Sequence, residues 1–197
     1  MMRTVMTLVL VVFSLIPVSG CKSSAMVKVA DEAAIVPTAD SAVVVFVRPS
    51  PVGYAYQSVV YETTTKENQL VGIVSSGARV AYRTTPGTHM FMVVSEAADF
   101  LQATVEANKT YYVRVTPRFG VFRARFSLDP VRAEEFKQPE FGFWGGLEWY
   151  ENTDASREWA KNNAASVQSK REEYFKKWSE KSAEDKAEAT LLPGDHR

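Results

Sequence analysis

Polar and apolar positions along this chain fall into three regimes. Residues 5–16 are almost wholly apolar, residues 41–128 alternate with a period of two, and beyond residue 153 the apolar positions recur every three, four or seven. Turn-forming residues cut the alternating region into eight short runs, at 42–48, 58–62, 70–74, 79–83, 89–94, 100–105, 111–116 and 121–128. Period two is the pleat repeat of a strand with one buried face, and turn signals every eight to twelve residues predict an all-β unit. The first run is β-branched in both phases, as a central strand covered on both faces requires. In the last run Phe122, Ala124, Phe126 and Leu128 share a phase opposite Arg123 and Arg125. The expected fold is mainly β: a single antiparallel β-sandwich of about 7–8 strands over residues 41–132, able to fold without the C-terminal third of the chain.

Residues 133–152 form a connector rich in aromatics and glycine, with Phe136, Phe141, Phe143, Trp144, Trp149 and Tyr150. Two readings stand: a cover for one end of the sandwich, or an exposed surface for a sugar or a partner. Thr153 and Asp154 are N-cap residues, and a single C-terminal α-helix is predicted from there over 153–192, ended by Pro193-Gly194. Its apolar stripe is Ala160, Ala164, Val167, Tyr174 and Trp178, interrupted by Arg171. That interruption weakens a coiled-coil reading. No internal repeat is present.

The apolar run 5–16 follows Arg3 and ends shortly before Val18-Ser19-Gly20-Cys21. It is too short for a permanent membrane span, whereas a basic residue, an apolar run and small residues before a cut mark a signal peptide. An aliphatic residue three before a cysteine, with two small residues between, is the pattern of a bacterial lipobox. Residues 1–20 are therefore expected to be removed, with Cys21 as the lipid (palmitate-type) attachment site. Residues 21–40, small and polar with Pro37, are expected to be a flexible tether. Lys22 follows the cysteine where an aspartate would retain a lipoprotein in the inner membrane, so the expected location is the cell envelope at the outer membrane.

Composition narrows the chemistry further. Cys21 is the only cysteine, which excludes a disulfide and a thiolate metal site. His89 and His196 are the only histidines, too few for a histidine zinc site, and no glycine-rich phosphate loop occurs. No metal or cofactor is expected. Formal charge is zero overall, yet residues 41–132 carry ten basic against six acidic side chains and residues 133–197 ten against fourteen. That split suits either an anionic partner for the first part or docking of one part on the other. Nucleic acid is not expected.

Three segments resemble a known group. Val45-Phe46-Val47-Arg48-Pro49-Ser50, Pro86-Gly87-Thr88-His89 and Lys109-Thr110-Tyr111-Tyr112-Val113-Arg114-Val115 are similar, in order and spacing, to the bacterial lipoproteins of domain-of-unknown-function family 2846. The resemblance spans about residues 41–130 and implies a small β-sandwich in the envelope, with no catalytic residue to carry over. The chain departs from that pattern at Ala107-Asn108, where a glycine turn is expected.

His89 after a Pro-Gly turn reads as a turn cap, and Ser75-Ser76-Gly77 lacks the context of a nucleophile elbow. Glu96, Asp99 and Glu106 are the acids from which a glycosidase-type pair could be drawn. The stronger candidates are Arg79, Arg83, Arg114, Arg123 and Arg125, all in the polar phase of predicted strands and together a possible anion-binding face. The expected function is a non-enzymatic binding or structural role in a lipid-anchored envelope protein. Its partners would be the membrane through the N-terminal lipid and an anionic lipid, a glycan or another envelope protein. The alternative is a carboxylate-dependent hydrolase acting on envelope glycans.

Overall fold

A computed structural model of the chain describes residues 25–30, 35–118 and 125–197. The predicted signal peptide, Cys21 and Arg123 lie outside the described residues. In chain order the strands are β1 (Met26–Val29), β2 (Ala42–Val47), β3 (Val59–Glu62), β4 (Gln69–Ile73), β5 (Ala78–Thr84), β6 (Gly87–Val94), β7 (Ala98–Val105), β8 (Thr110–Arg118), β9 (Arg125–Pro130), β10 (Glu148–Asn152) and β11 (Thr190–Leu191). The helices are α1 (Pro139–Phe143), α2 (Asp154–Asn162), α3 (Ala164–Ser179) and α4 (Ala183–Glu188). Two sheets result, one ordered β1-β10-β5-β2-β8-β9 and the other β11-β7-β6-β3-β4.

The mainly-β expectation holds, but the sandwich is not purely antiparallel and is not complete at residue 132. Both sheets are mixed: β2 runs parallel to β8, β10 parallel to β5, and β11 parallel to β7. Between β2 and β8 the chain crosses to the second sheet twice, as β3–β4 and as β6–β7, with β5 placed antiparallel on the other side of β2 in between. The other two parallel pairs arise where the tail returns to the two sheets. Strand β10 lies between β1 and β5, so a strand from the expected connector is internal to the first sheet. Strand β1 falls inside the stretch expected to be a tether.

Two cores explain why β2 is β-branched in both phases. Toward the second sheet, Val44 and Phe46 join Phe91, Leu101, Tyr111 and Leu128, with Phe46 edge-on to Phe91 at 5.1 Å between centroids. Away from it, Val43, Val45, Val47 and Tyr112 pack under Trp144, Trp149, Phe136 and Phe141. The connector is thus a cover over the outer face of the first sheet, its rings meeting edge to face at 4.8–5.7 Å.

The predicted C-terminal helix is three helices and a strand. Thr153 does cap its start, accepting from the Ser156 backbone N–H at 3.3 Å. Asn163 then stops α2, its side-chain Nδ2 donating to the Trp159 carbonyl at 2.8 Å. Ser182 caps α4 through the Asp185 N–H. Val167 and Trp178 of the stripe are buried, and Phe100 of β7 meets Phe175 and Trp178. Arg171 is a docking point of α3. Its guanidinium donates to the carbonyls of Thr63, Thr65 and Lys66 and to Asn68 Oδ1, all at 2.7–3.0 Å, clamping the β3–β4 turn.

Candidate functional site

Pairing across the first sheet decides where the predicted arginines sit. Val43 opposes Arg83, Val47 opposes both Arg79 and Arg114, and Arg118 opposes Arg125. Residues directly opposite share a face, so Arg79, Arg83, Arg114 and Arg125 do lie on one face, the outer one, with Arg118 beside them. The connector takes up half of that set. Arg79 lies 4.3 Å from the Trp149 ring centroid and donates to the Gly145 carbonyl at 3.2 Å. Arg114 pairs with Glu135 and lies 5.2 Å from the Trp144 ring. Arg83 donates to Ser41 Oγ at 2.9 Å. A guanidinium can stack on an indole and still donate in its own plane, so these arginines hold the cover in place.

The open part of the basic face is at its edge. There β9, the start of β7, α3 and α4 enclose a groove of about 970 Å³. Arg118 and Arg125 stand at one end, Lys177 and Lys181 on the helical wall with Tyr174 and Trp178, and five carboxylates, among them Asp129 and Glu135, balance the basic lining. Arg118 donates to Asp129 at 2.8 Å and to Ser127 Oγ at 2.7 Å. Lys181 pairs with Asp99 at 3.4 Å. Among the described residues Arg125 has no ion-pair partner, and it is exposed. Arg118 was not singled out from sequence, although it ends the same alternating run as Arg114.

Two of the predicted acids, Asp99 and Glu106, are too far apart to act as a pair. Asp99 and Glu106 are seven residues apart along β7 and just past its end, about 23 Å for an extended strand, far beyond glycosidase spacing. Among the described residues no group of three or more His, Cys, Asp and Glu is placed to hold a metal. No helix among them is long and apolar enough to cross a membrane.

His89 does have a carboxylate beside it, which the sequence did not disclose. Glu62 ends β3 opposite Phe91 and lies 3.5 Å from His89 Nδ1. The Nε2 atom donates to the Thr85 carbonyl at 2.8 Å, so it already carries a proton and cannot take one from Thr84 Oγ1 at 3.3 Å. Tyr82 is pushed up to about 12, first by burial and then by the Glu62 charge. This cluster ties the β5–β6 turn to the end of β3.

Arg48 is also buried, fully enclosed and without a carboxylate partner among the described residues. It donates to the carbonyls of Val52 (3.2 Å), Gly53 (2.6 Å) and Tyr56 (2.9 Å), and lies 4.4 Å from the Phe126 ring centroid. Burial pulls its guanidinium down to about 10, still charged at neutral pH. Asn108 takes a left-handed φ of 59° in the turn before β8, doing there what the glycine of the resembled pattern would do.

No family model matches the chain, and no curated protein matches it.

Proposed function

We propose that this is a lipid-anchored envelope protein, related to the family it resembles, that binds and does not catalyse. Its ligand is an envelope glycan carrying phosphate or carboxylate, held in the groove beside β9. The observation that carries this is the Arg118–Arg125 pair. Like charges directly opposite on a ladder are destabilising unless something neutralises them, and only Arg118 has a carboxylate partner among the described residues. An anion bridging both arginines would supply the missing charge, while Lys177 and Lys181 nearby already pair with Glu173 and Asp99. The volume suits a small glycan. The distance between Asp99 and Glu106 disfavours that pair as the carboxylates of the hydrolase alternative.

The mature chain with Cys21→Ser is expected to bind peptidoglycan fragments or lipopolysaccharide in a salt-sensitive way. Changing Arg118 and Arg125 together to glutamine should weaken that binding by about tenfold or more, since each charge-assisted contact contributes about 1.5–3 kcal/mol. Arg83→Gln should leave it unchanged, because Arg83 faces Ser41 and does not line the groove. Equal loss in both variants, read by calorimetric titration, would return the site to the covered face.

Anchoring has its own test. Lipidation at Cys21 places the protein in the envelope, at the outer membrane where the cell has one. In cells, Cys21→Ser should release the protein from the membrane fraction and abolish labelling by a fatty acid. Label retained by that variant would disprove the assignment.

A further inference from the structure

Five basic and five acidic side chains line the groove beside β9, so its charge is balanced. Most of them are already spent on ion pairs. Arg118 pairs with Asp129 and Lys181 with Asp99 inside the groove, whereas Arg132, Lys177 and Glu135 pair with residues outside it. Among the described residues that leaves Arg125, Asp185 and Glu188 without an ionic partner. They stand at opposite ends. Arg125 opens β9, while the Glu188 carbonyl accepts from Arg132, in the segment that follows that strand, at 3.1 Å. Six extended residues separate those ends by roughly 17 Å. A polyanion would set its charge against the acidic end. A ligand with an anionic group at one end and an ammonium at the other complements both.

Between the two ends lies backbone. Arg125, Ser127 and Asp129 of one phase and Phe126 and Leu128 of the other all line the groove, as they would where it follows the edge of the strand. No described strand pairs with β9 on that side. The Val131 N–H donates to the Tyr112 carbonyl opposite it, so the bonded positions of the β8–β9 ladder are every second residue from there: Asp129, Ser127 and Arg125. Pro117 and Pro130 fall at the other positions, where no N–H toward the partner strand is needed. Phe126 and Leu128 therefore turn their N–H and C=O groups away from β8, with about 7 Å between the two residues. Alternating donors and acceptors of that kind match amide groups. We infer that the ligand of this groove is a peptide-bearing glycan, with its carboxylate at Arg125, its amides along the edge of β9 and a free amine at Glu188. The inference rests on the groove being the ligand site, and it selects a peptidoglycan-type fragment over a phosphate-rich lipopolysaccharide.

The mature chain with Cys21→Ser can be titrated calorimetrically with a disaccharide–tetrapeptide whose diamino acid has a free amine, and with the same fragment acetylated at that amine. Acetylation is expected to weaken binding about fivefold, the effect of losing one partly exposed charge pair. Glu188→Gln should cost the free-amine fragment the same factor and the acetylated fragment nothing. In NMR spectra of the saturated protein, the Phe126 and Leu128 amide protons are expected to move downfield. That of Ser127, already bonded to β8, should stay. Equal affinity for the two fragments, or unmoved Phe126 and Leu128 amides, overturns the inference. Tighter binding of lipopolysaccharide also overturns it, while keeping the groove as an anion site. Binding of neither glycan discards the groove itself, and the inference with it.

Discussion

Replacing Arg48 with methionine is expected to lower stability by about 3–5 kcal/mol, although the change keeps an unbranched apolar stem in the same space. The loss comes from what is left behind. The Val52, Gly53 and Tyr56 carbonyls lose their donor, each at a typical cost of about 1–3 kcal/mol where water cannot replace it. The Val74 carbonyl is spared, because Ser58 Oγ also donates to it. Part of the cost is avoided by letting the loop 49–57 swing into solvent, so hydrogen exchange at the Tyr54 and Tyr56 amides should accelerate more than the global stability falls. In a thermal melt the change corresponds to a drop of about 10 °C or more. Arg48→Lys should recover less than half of it, since an ammonium cannot span carbonyls on both sides as the planar fork does. A melting temperature within a degree or two of the parent would mean that the loop holds its shape without Arg48.

A fragment of residues 38–132 is expected not to fold, against the reading of the sequence as a self-sufficient sandwich. It retains eight strands but lacks β1, β10 and β11. Val43, Val45, Val47 and Tyr112 would lose Trp144 and Trp149, and Phe100 would lose Trp178. Leaving out Trp144, Trp149, Val167, Trp178 and Leu191 removes five buried side chains, roughly 10 kcal/mol at about 1.5–3 kcal/mol each. That is comparable with the whole stability of an ordinary domain. Circular dichroism should show no cooperative melt, and the fragment should aggregate through its uncovered sheet. A sharp melt from this fragment would show that the tail is an ornament on a complete fold.

What could be read from the sequence was local. Alternation placed Phe126 and Leu128 inward and Arg125 outward, and β-branching in both phases of β2 announced two cores. The identity of the second cover was not legible, because nothing in the spacing of Phe136, Phe141 and Trp144 distinguishes a lid over a sheet from an open ring platform. Strand β10 was hidden for a similar reason: Glu148–Asn152 has one buried residue in five, and its partners β1 and β5 are remote in sequence. Arg171 read as a flaw in a stripe because its acceptors are backbone carbonyls, which carry no sequence signal. The same is true of Arg48. In the groove, Arg125 was found by its phase and Arg118 was missed. The run was traced only to Thr116, whereas the strand continues through Pro117 to Arg118.

Strand β1 bears on how the proposed groove would meet the ligand proposed for it. Its first residue, Met26, comes five residues after Cys21, a length that reaches at most about 17 Å. With Cys21 acylated, the domain is leashed at the membrane surface and not lifted clear of it. A ligand in the same leaflet is then encountered at an effective concentration on the order of millimolar, set by the leash and not by the bulk solution. A groove with modest affinity is mostly filled under those conditions and mostly empty once the protein is extracted and diluted. Occupancy would thus report whether ligand and protein share a surface.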